Sequence, residues 1–212
     1  MTLTGNADPG PTRNYFWDNG AAQIDQNIMP KPGGVVFSCD SMGRSSIARA
    51  SLTYQMFTAS ADARNGTPLD PPTGWPKSNP EQAITFSLTG KTYHGYLWNR
   101  SHSVADSLAG AQSYTSPCNF TSGTRAQNVG ADQNGGMRAA EELAENYWKT
   151  HKDSTTTIWY QTTPIYQGSE LIPRGSVVDE LSSDGTVNAE TVVINDAEGW
   201  TINYNTGDVT HR

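Results

Sequence analysis

The chemistry that this sequence suggests centres on polar side chains between residues 98 and 141. His102 follows a predicted strand, and a neutral histidine can take a proton from water near neutral pH. The amide oxygen of Asn128 suits a hard cation such as Mg²⁺, and Glu141 could hold one of the waters that such a cation keeps. Arg100 and Arg125 can bind phosphate oxygens and stabilise charge that grows as a bond breaks. Together these side chains could hydrolyse a phosphodiester bond.

The same residue types also have structural uses, and their spacing alone does not separate the two. His102 could be a polar residue at a strand end, and Asn128 a turn residue, since Asn tolerates left-handed backbone. Glu141 could be a carboxylate favoured in the first turn of a helix. The alternative to an enzyme is therefore a non-catalytic, aromatic-rich β-sheet module that binds a carbohydrate or a protein partner.

The elements that must position these side chains are mostly strands. Alternating or β-branched apolar runs predict strands at 35–38, 46–57, 83–88, 93–98, 155–160, 176–181 and 190–194. Ser183-Asp184-Gly185 predicts a hairpin turn between the last two. A helix is predicted over 137–148 from apolar residues at helical spacing. These residues are Met137, Ala140, Leu143, Ala144, Tyr147 and Trp148. The Pro-rich stretch 58–82 predicts a long loop anchored by Trp75, and 99–135 has little periodicity. The predicted class is α+β, dominated by antiparallel strands with few helices.

The charge distribution is uneven along the chain. Taken alone, the net charge of −7 argues against a nucleic-acid partner, since phosphate backbones are normally met by excess Lys and Arg. However, residues 153–212 hold nine acidic and two basic residues, whereas residues 1–152 hold twelve of each. Residues 82–131 contain three basic residues and a single acidic one. The late carboxylates, including Asp179 and Glu180, are predicted to form a solvated face, and the middle of the chain is locally positive.

Several motifs resemble those of the DNA/RNA non-specific endonucleases, the ββα-metal or His-Me finger class. Asn99-Arg100-Ser101-His102 is similar to the Asp/Asn-Arg-Gly/Ser-His motif of that family. Thr124-Arg125-Ala126-Gln127-Asn128-Val129-Gly130, followed by Gly135-Gly136-Met137 and Glu141, resembles its secreted, streptodornase-like branch. Further similar segments are 40–44, 72–76, 163–166 and 202–207, so the resemblance runs from about residue 35 to the end.

The resemblance implies a central antiparallel sheet with a ββα-metal motif, and it implies roles for individual residues. By position, His102 would be the general base, Asn128 the direct ligand of one Mg²⁺ ion, and Glu141 a carboxylate that acts on the metal through water. Mn²⁺ or another divalent cation is an alternative metal. The segment 131–134 lengthens the link after Asn128, so Glu142 or Glu145 could substitute, but Gly135-Gly136-Met137 favours Glu141.

The resemblance also implies a substrate and further site residues. Asn119 matches a family amide that helps to shape the catalytic site, Arg100 belongs to the histidine motif, and Arg125 is a phosphate contact. The implied activity is metal-dependent hydrolysis of phosphodiester bonds in DNA, with RNA as a further substrate. Binding would depend on backbone phosphates rather than on base contacts. A monomer is expected.

Domain organisation and location complete the expectations. Residues 1–34, rich in Gly, Pro, Asn and Asp, predict an irregular N-terminal arm pinned by aromatic residues 15–17, and 35–212 a single nuclease domain. Cys39 and Cys118 can form at most one intramolecular bridge. Because both lie beside motifs of the resemblance, a disulfide between them is one hypothesis, and two free thiols are the equally open alternative.

The first residues lack the basic and apolar regions of a signal peptide, whereas the resemblance implies a secreted or extracellular protein. A delivered toxin domain, neutralised by an immunity or inhibitor protein, is the alternative. No stretch approaches the roughly 18 apolar residues of a membrane span, which excludes an integral membrane protein.

Overall fold

The computed structural model describes residues 14–61 and 70–212, which contain strands and a few helices. The strands are β1 (Phe16–Asp18), β2 (Val35–Cys39), β3 (Ser45–Leu52), β4 (Glu81–Thr85), β5 (Thr92–Tyr96), β6 (Trp98–His102), β7 (Phe120–Thr124), β8 (Ile158–Ile165), β9 (Gly175–Ser182), β10 (Asn188–Ile194), β11 (Trp200–Ile202) and β12 (Val209–His211). The α-helices are α1 (Tyr54–Ser60), α2 (Asp106–Ala109), α3 (Arg125–Val129) and α4 (Met137–Thr150). Short 3₁₀ helices lie at Gln26–Ile28, Gly110–Tyr114 and Pro117–Asn119.

A six-stranded sheet in the order β1-β10-β9-β8-β3-β2 forms the centre of the fold, and its neighbouring strands are all antiparallel. Side chains of β8 alternate across the sheet, so Ile158, Tyr160 and Thr162 are buried while the residues between them are partly exposed. The α+β class with few helices in the described residues confirms the predicted architecture. None of these helices is long and apolar enough to cross a membrane.

Helix α4 packs on this sheet and matches the helix predicted over 137–148. Its buried apolar stripe joins the main core together with residues of β3, β8 and α2. Trp148 is fully buried, and truncating such an indole to alanine typically costs about 3–5 kcal/mol of stability. Leu143 was expected on the same stripe but is 39% exposed, because it lies at the edge of the packed face.

Three two-stranded antiparallel ribbons, β4–β5, β6–β7 and β11–β12, accompany the sheet. A second apolar cluster, which includes Ile84, Leu97 and Trp200, lies among them. Leu97 alone separates β5 from β6, so these two strands form a nearly continuous extended segment. The β6–β7 ribbon is followed at once by α3, and α3 packs against both strands and against α4.

Two of the predicted elements are partly wrong. The strand expected over 46–57 ends at Leu52, and α1 follows because the hydroxyl of Thr53 accepts a hydrogen bond from the backbone N–H of Met56 and caps a helix. The expected irregular arm contains β1, which pairs with β10, and Tyr15 before it is buried in the second cluster. Residues 1–13 of that arm and 62–69 of the predicted loop lie outside the described residues.

The prediction that the late carboxylates form a solvated face is wrong for two of them. Asp179 and Glu180 are adjacent on β9, a central strand of the sheet, and both are buried. The Asp179 carboxylate accepts a hydrogen bond from the backbone N–H of Gln23 at 2.7 Å. Burial raises the pKa of Glu180 well above its ordinary value, and neither carboxylate oxygen has a hydrogen-bond partner in the described residues. Burial therefore favours the neutral form of the Glu180 carboxyl group.

Candidate active site

The β6–β7 ribbon positions His102 at the end of β6. In the antiparallel register His102 lies opposite Phe120, and the imidazole packs 4.4 Å from the Phe120 ring and 5.1 Å from the Tyr114 ring, centroid to centroid. Its Nε2 atom is buried and has no hydrogen-bond partner in the described residues. Burial lowers the pKa of His102 to about 4, although the charge of Asp106 opposes that shift. His102 is thus a neutral base at physiological pH.

Asn119 fixes the backbone that follows His102. Its side chain is fully buried; Oδ1 accepts a hydrogen bond from the Val104 N–H at 2.8 Å, and Nδ2 donates to the carbonyl oxygens of Val104 and Ser113, each at 2.9 Å. The Ser103 N–H donates to the carbonyl of Asn119 at 2.8 Å. Because these bonds use the amide's polar atoms, Asn119 shapes the site from behind and is a positioning residue.

The predicted disulfide is present and lies next to this anchor. Cys39 of β2 is bonded to Cys118 with a Cα–Cα distance of 5.2 Å, and Cys118 immediately precedes Asn119. The Ser45 hydroxyl donates to the carbonyl of Cys118 at 2.7 Å. The His102 ribbon is therefore tied to the main sheet by a covalent bond and a hydrogen bond.

Asn128 lies on α3, directly after β7. The helix begins at Thr124, whose hydroxyl accepts a hydrogen bond from the Gln127 N–H at 3.0 Å. The buried side chain of Asn195 holds the same corner, since it accepts from the Thr124 N–H at 2.9 Å and donates to the Ser122 carbonyl at 3.0 Å. These contacts leave Asn128, which is partly buried, on a helix whose start is fixed from two sides.

Glu141 lies in the second turn of α4, on the face that meets the site. Arg138 donates to Glu141 at 3.3 Å and makes two hydrogen bonds to Glu145. Burial raises the pKa of Glu141 to about 7, against the lowering effect of Arg138. The negative charge of Asp106 opposes the lowering of the His102 pKa and adds to the raising of the Glu141 pKa.

The two predicted phosphate contacts lie beside aromatic rings. The exposed Arg100 guanidinium lies 5.8 Å from the centroid of the Trp75 ring, and that of Arg125 lies 5.0 Å from the Tyr93 ring. Arg125 also donates to the Gln133 side chain at 2.8 Å. Arg100 lies on the same strand as His102, and Arg125 lies on the same helix as Asn128. The predicted catalytic, metal and phosphate residues therefore lie on β6, α3 and α4 or, for Asn119, just before β7.

Sequence reasoning missed Asp106, Arg138 and Asn195. Arg138 had a local signal, because it precedes Glu141 by three residues and such pairs meet on a helix surface. Asp106 is four residues after His102 and was visible as the sole acidic residue of a basic segment. Asn195 had no such signal, since it is 71 and 73 residues away in sequence from Thr124 and Ser122, the two positions that it holds.

The oxygen donors at this site suit a hard divalent cation. Within 14–61 and 70–212, no group of three or more His, Cys, Asp or Glu side chains is arranged to hold a metal ion. A cation here would depend on the Asn128 amide, on the nearby Glu141 carboxylate and on water, which is the ligand pattern that Mg²⁺ accepts. The residues therefore fit such an ion.

Comparisons with known proteins identify relatives of the whole fold. The profile of the DNA/RNA non-specific endonuclease family matches residues 17–210. A deoxyribonuclease of Streptococcus dysgalactiae subsp. equisimilis is 28% identical over 253 residues, which cover 97% of this chain and 76% of that protein. The Sda1 nuclease, solved with bound zinc, is 30% identical with a TM-score of 0.84, covering 94% of this chain and 98% of that one. NucA from Streptococcus agalactiae, solved with magnesium, is 22% identical with a TM-score of 0.72, over 94% and 88%.

These matches confirm the predicted resemblance and favour a nuclease over the binding-module alternative. The profile covers nearly all the described residues, including β1 in part, so the family extends further towards the N-terminus than residue 35. The chain belongs to the DNA/RNA non-specific endonuclease family, and within it to the streptodornase-like nucleases.

Proposed function

We propose that this nuclease is a Mg²⁺-dependent endonuclease that hydrolyses the P–O3′ bonds of DNA, and of RNA, without base specificity. The observation that carries the proposal is a histidine held neutral at the end of β6, whose buried Nε2 atom has no hydrogen-bond partner among the described residues. Asn128 would bind the cation directly and Glu141 through water. The zinc of Sda1 and the magnesium of NucA, which are divalent ions in related folds, support a divalent cation here.

In the proposed reaction His102 takes a proton from water as that water attacks phosphorus, the P–O3′ bond breaks, and the departing O3′ takes a proton from solvent water. A bound Mg²⁺ ion would supply positive charge that stabilises the crowded phosphate and the departing oxygen. Arg100 and Arg125 bind non-bridging phosphate oxygens, for which guanidinium geometry is well suited. The low pKa of His102 keeps the base unprotonated before each turnover. Arg138 keeps the Glu141 carboxylate oriented and favours its ionised form.

We further propose that the protein acts outside the cell as a monomer. Support comes from the disulfide, which persists in oxidising compartments, and from similar folds described as extracellular nucleases. An immunity or inhibitor protein as a partner stays a prediction from the sequence.

The experiment is plasmid digestion with Mg²⁺, with EDTA and the His102→Ala variant as comparisons. Because general-base contributions are about 10²–10⁴-fold, His102→Ala should lose that factor in rate while it still binds plasmid. His151→Ala is the matched control, since His151 is exposed at the other end of α4. Undiminished digestion in EDTA would refute the metal requirement, and a normal rate in His102→Ala would refute the assignment of the base.

A further inference from the structure

Asn14, at the start of the described chain, reaches the loop that links α3 to α4. Its Oδ1 atom accepts a hydrogen bond from the Ala131 N–H at 2.7 Å, and its Nδ2 atom donates to the Asp132 carboxylate at 2.7 Å. Its backbone carbonyl accepts from the Gly136 N–H at 3.0 Å. One residue thus holds both ends of the 130–136 loop, although it is more than 110 residues away in sequence.

The loop packs closely around the Asn14 side chain. A Cβ atom added at Gly130 would lie 2.4 Å from Asn14 Oδ1, and one added at Gly135 would lie 2.3 Å from Asn14 Cγ. Gly130 and Gly136 have φ values of +65° and +57°, a conformation that glycine adopts without steric cost. The glycines on this loop are therefore required by the presence of Asn14 as well as by the turn itself.

Asn14 is itself held in an uncommon conformation. Asn14 and Tyr15 have φ values of +54° and +67°, and a bulky residue such as tyrosine rarely adopts left-handed backbone. Tyr15 is fixed there because it is buried in the second cluster and its carbonyl accepts from the Ile194 N–H at 2.9 Å. Such strain persists where surroundings over-determine it, and it concentrates at functional sites.

The 130–136 loop connects the helix of Asn128 to the helix of Glu141 and so affects the distance between these two residues. Helix α3 has five residues, too few to be stable alone, so its placement relative to α4 depends on the loop between them. We propose that Asn14 is a positioning residue for the metal site, because it fixes the 130–136 loop and with it the relation of Asn128 to Glu141. This inference rests on the metal site of the proposed function.

The test is direct Mn²⁺ binding to the full chain without DNA, measured by electron paramagnetic resonance of the free ion. Asn14→Gly removes the side chain, while glycine accepts the positive φ without strain. Residues that support metal ligands typically contribute 10–100-fold to affinity, so Asn14→Gly should bind Mn²⁺ at least about tenfold more weakly. The matched control is Asn188→Gly, which removes a 2.9 Å bond to the Ala22 N–H and leaves the loop untouched.

The outcomes separate this inference from the proposed function. If the wild-type chain binds no Mn²⁺, the proposed metal site fails. If the wild type binds and both glycine variants bind equally well, only the role of Asn14 is overturned. A merely structural role would lower the melting temperature of Asn14→Gly without changing its Mn²⁺ affinity. Should that variant not fold, Asp132→Ala removes the partner of Asn14 Nδ2 from the exposed side of the loop. An unchanged affinity in Asp132→Ala would then overturn the inference, and a weaker one would support it.

Discussion

Removing the disulfide should cost the protein a large share of its stability. Cys39 and Cys118 are separated by 79 residues in sequence. Closing a loop of that length lowers the entropy of the unfolded chain by an amount equivalent to about 4.5 kcal/mol at 25 °C. Domains of ordinary stability have about 5–15 kcal/mol in total, so the double variant Cys39→Ser/Cys118→Ser should be only marginally folded at the lower end of that range. For a chain of this size the melting temperature should fall by roughly 9–18 °C.

The assay is urea unfolding of the oxidised wild type and of the double serine variant, followed by tryptophan fluorescence. Reduction of the wild type is a second route to the same state, since Cys39 is exposed and accessible to a reductant. The reduced wild type and the variant should show similar midpoints, both well below that of the oxidised protein. Equal midpoints for oxidised and reduced protein would refute the reasoning, because they would mean that the unfolded chain is already restricted without the bond.

The same perturbation should lower the nuclease rate by more than the unfolded fraction explains. Cys118 adjoins Asn119, which holds the backbone of Val104 and thereby the end of the His102 strand. At a temperature where circular dichroism shows the variant still folded, we expect a lower kcat with little change in KM. If the rate per folded molecule equals that of the wild type, Asn119 holds the end of the His102 strand without help from the disulfide.

Three further predictions follow from single groups. The pKa of His102 is lowered to about 4 in the folded protein, from an ordinary value of about 6.5. The free energy of unfolding should therefore fall by about 3 kcal/mol as the pH is lowered from 6.5 towards 4. Urea titrations of His102→Phe should not show this decrease. Arg138 lowers the pKa of Glu141, so Arg138→Met should raise that pKa above about 7. The nuclease rate of this variant should be more than about tenfold lower at pH 7 and should partly recover at pH 9. An unchanged dependence of the rate on pH would contradict this prediction. Gly123→Ala would place a Cβ atom 2.1 Å from Oε1 of the buried Gln127 and should cost about 1–3 kcal/mol in denaturant titrations, whereas full wild-type stability would show that the glutamine can move aside.

The helix α4 and most strands of the six-stranded sheet were predictable because their apolar residues repeat with a clear period. The helix predicted over 137–148 is α4, and the turn at Ser183-Asp184-Gly185 connects β9 to β10. The β6–β7 ribbon could not be predicted in the same way. Strand β7 (Phe120–Thr124) is buried on both faces and consists mostly of small and polar residues, so apolar and polar residues do not alternate along it.

Some residues of the candidate site could be recognised from local sequence motifs, whereas the residues that surround them come from distant parts of the chain. His102, Asn128 and Glu141 follow motifs that lie within one stretch of chain, which is why sequence could name them. The surroundings that set their chemistry come from elsewhere: burial fixes the neutral state of His102, and Asp106 acts on both His102 and Glu141 only after folding. Glu180 was misread for the same reason, since the sequence of the predicted strand 176–181 gives no sign that this strand lies in the middle of a sheet.

Three buried asparagines explain how short elements can hold a catalytic site. Asn119 fixes the chain after His102, Asn195 fixes the corner between β7 and α3, and Asn14 fixes the loop before α4. An amide both donates and accepts, so it can satisfy N–H and C=O groups of the backbone at once, and it carries no charge whose burial would have to be compensated. The proposed catalytic residues on β6 and α3, which have five residues each, gain little rigidity from those elements themselves. The rigidity therefore comes from these buried amide side chains, and their loss should disturb catalysis and metal binding before it disturbs the main sheet.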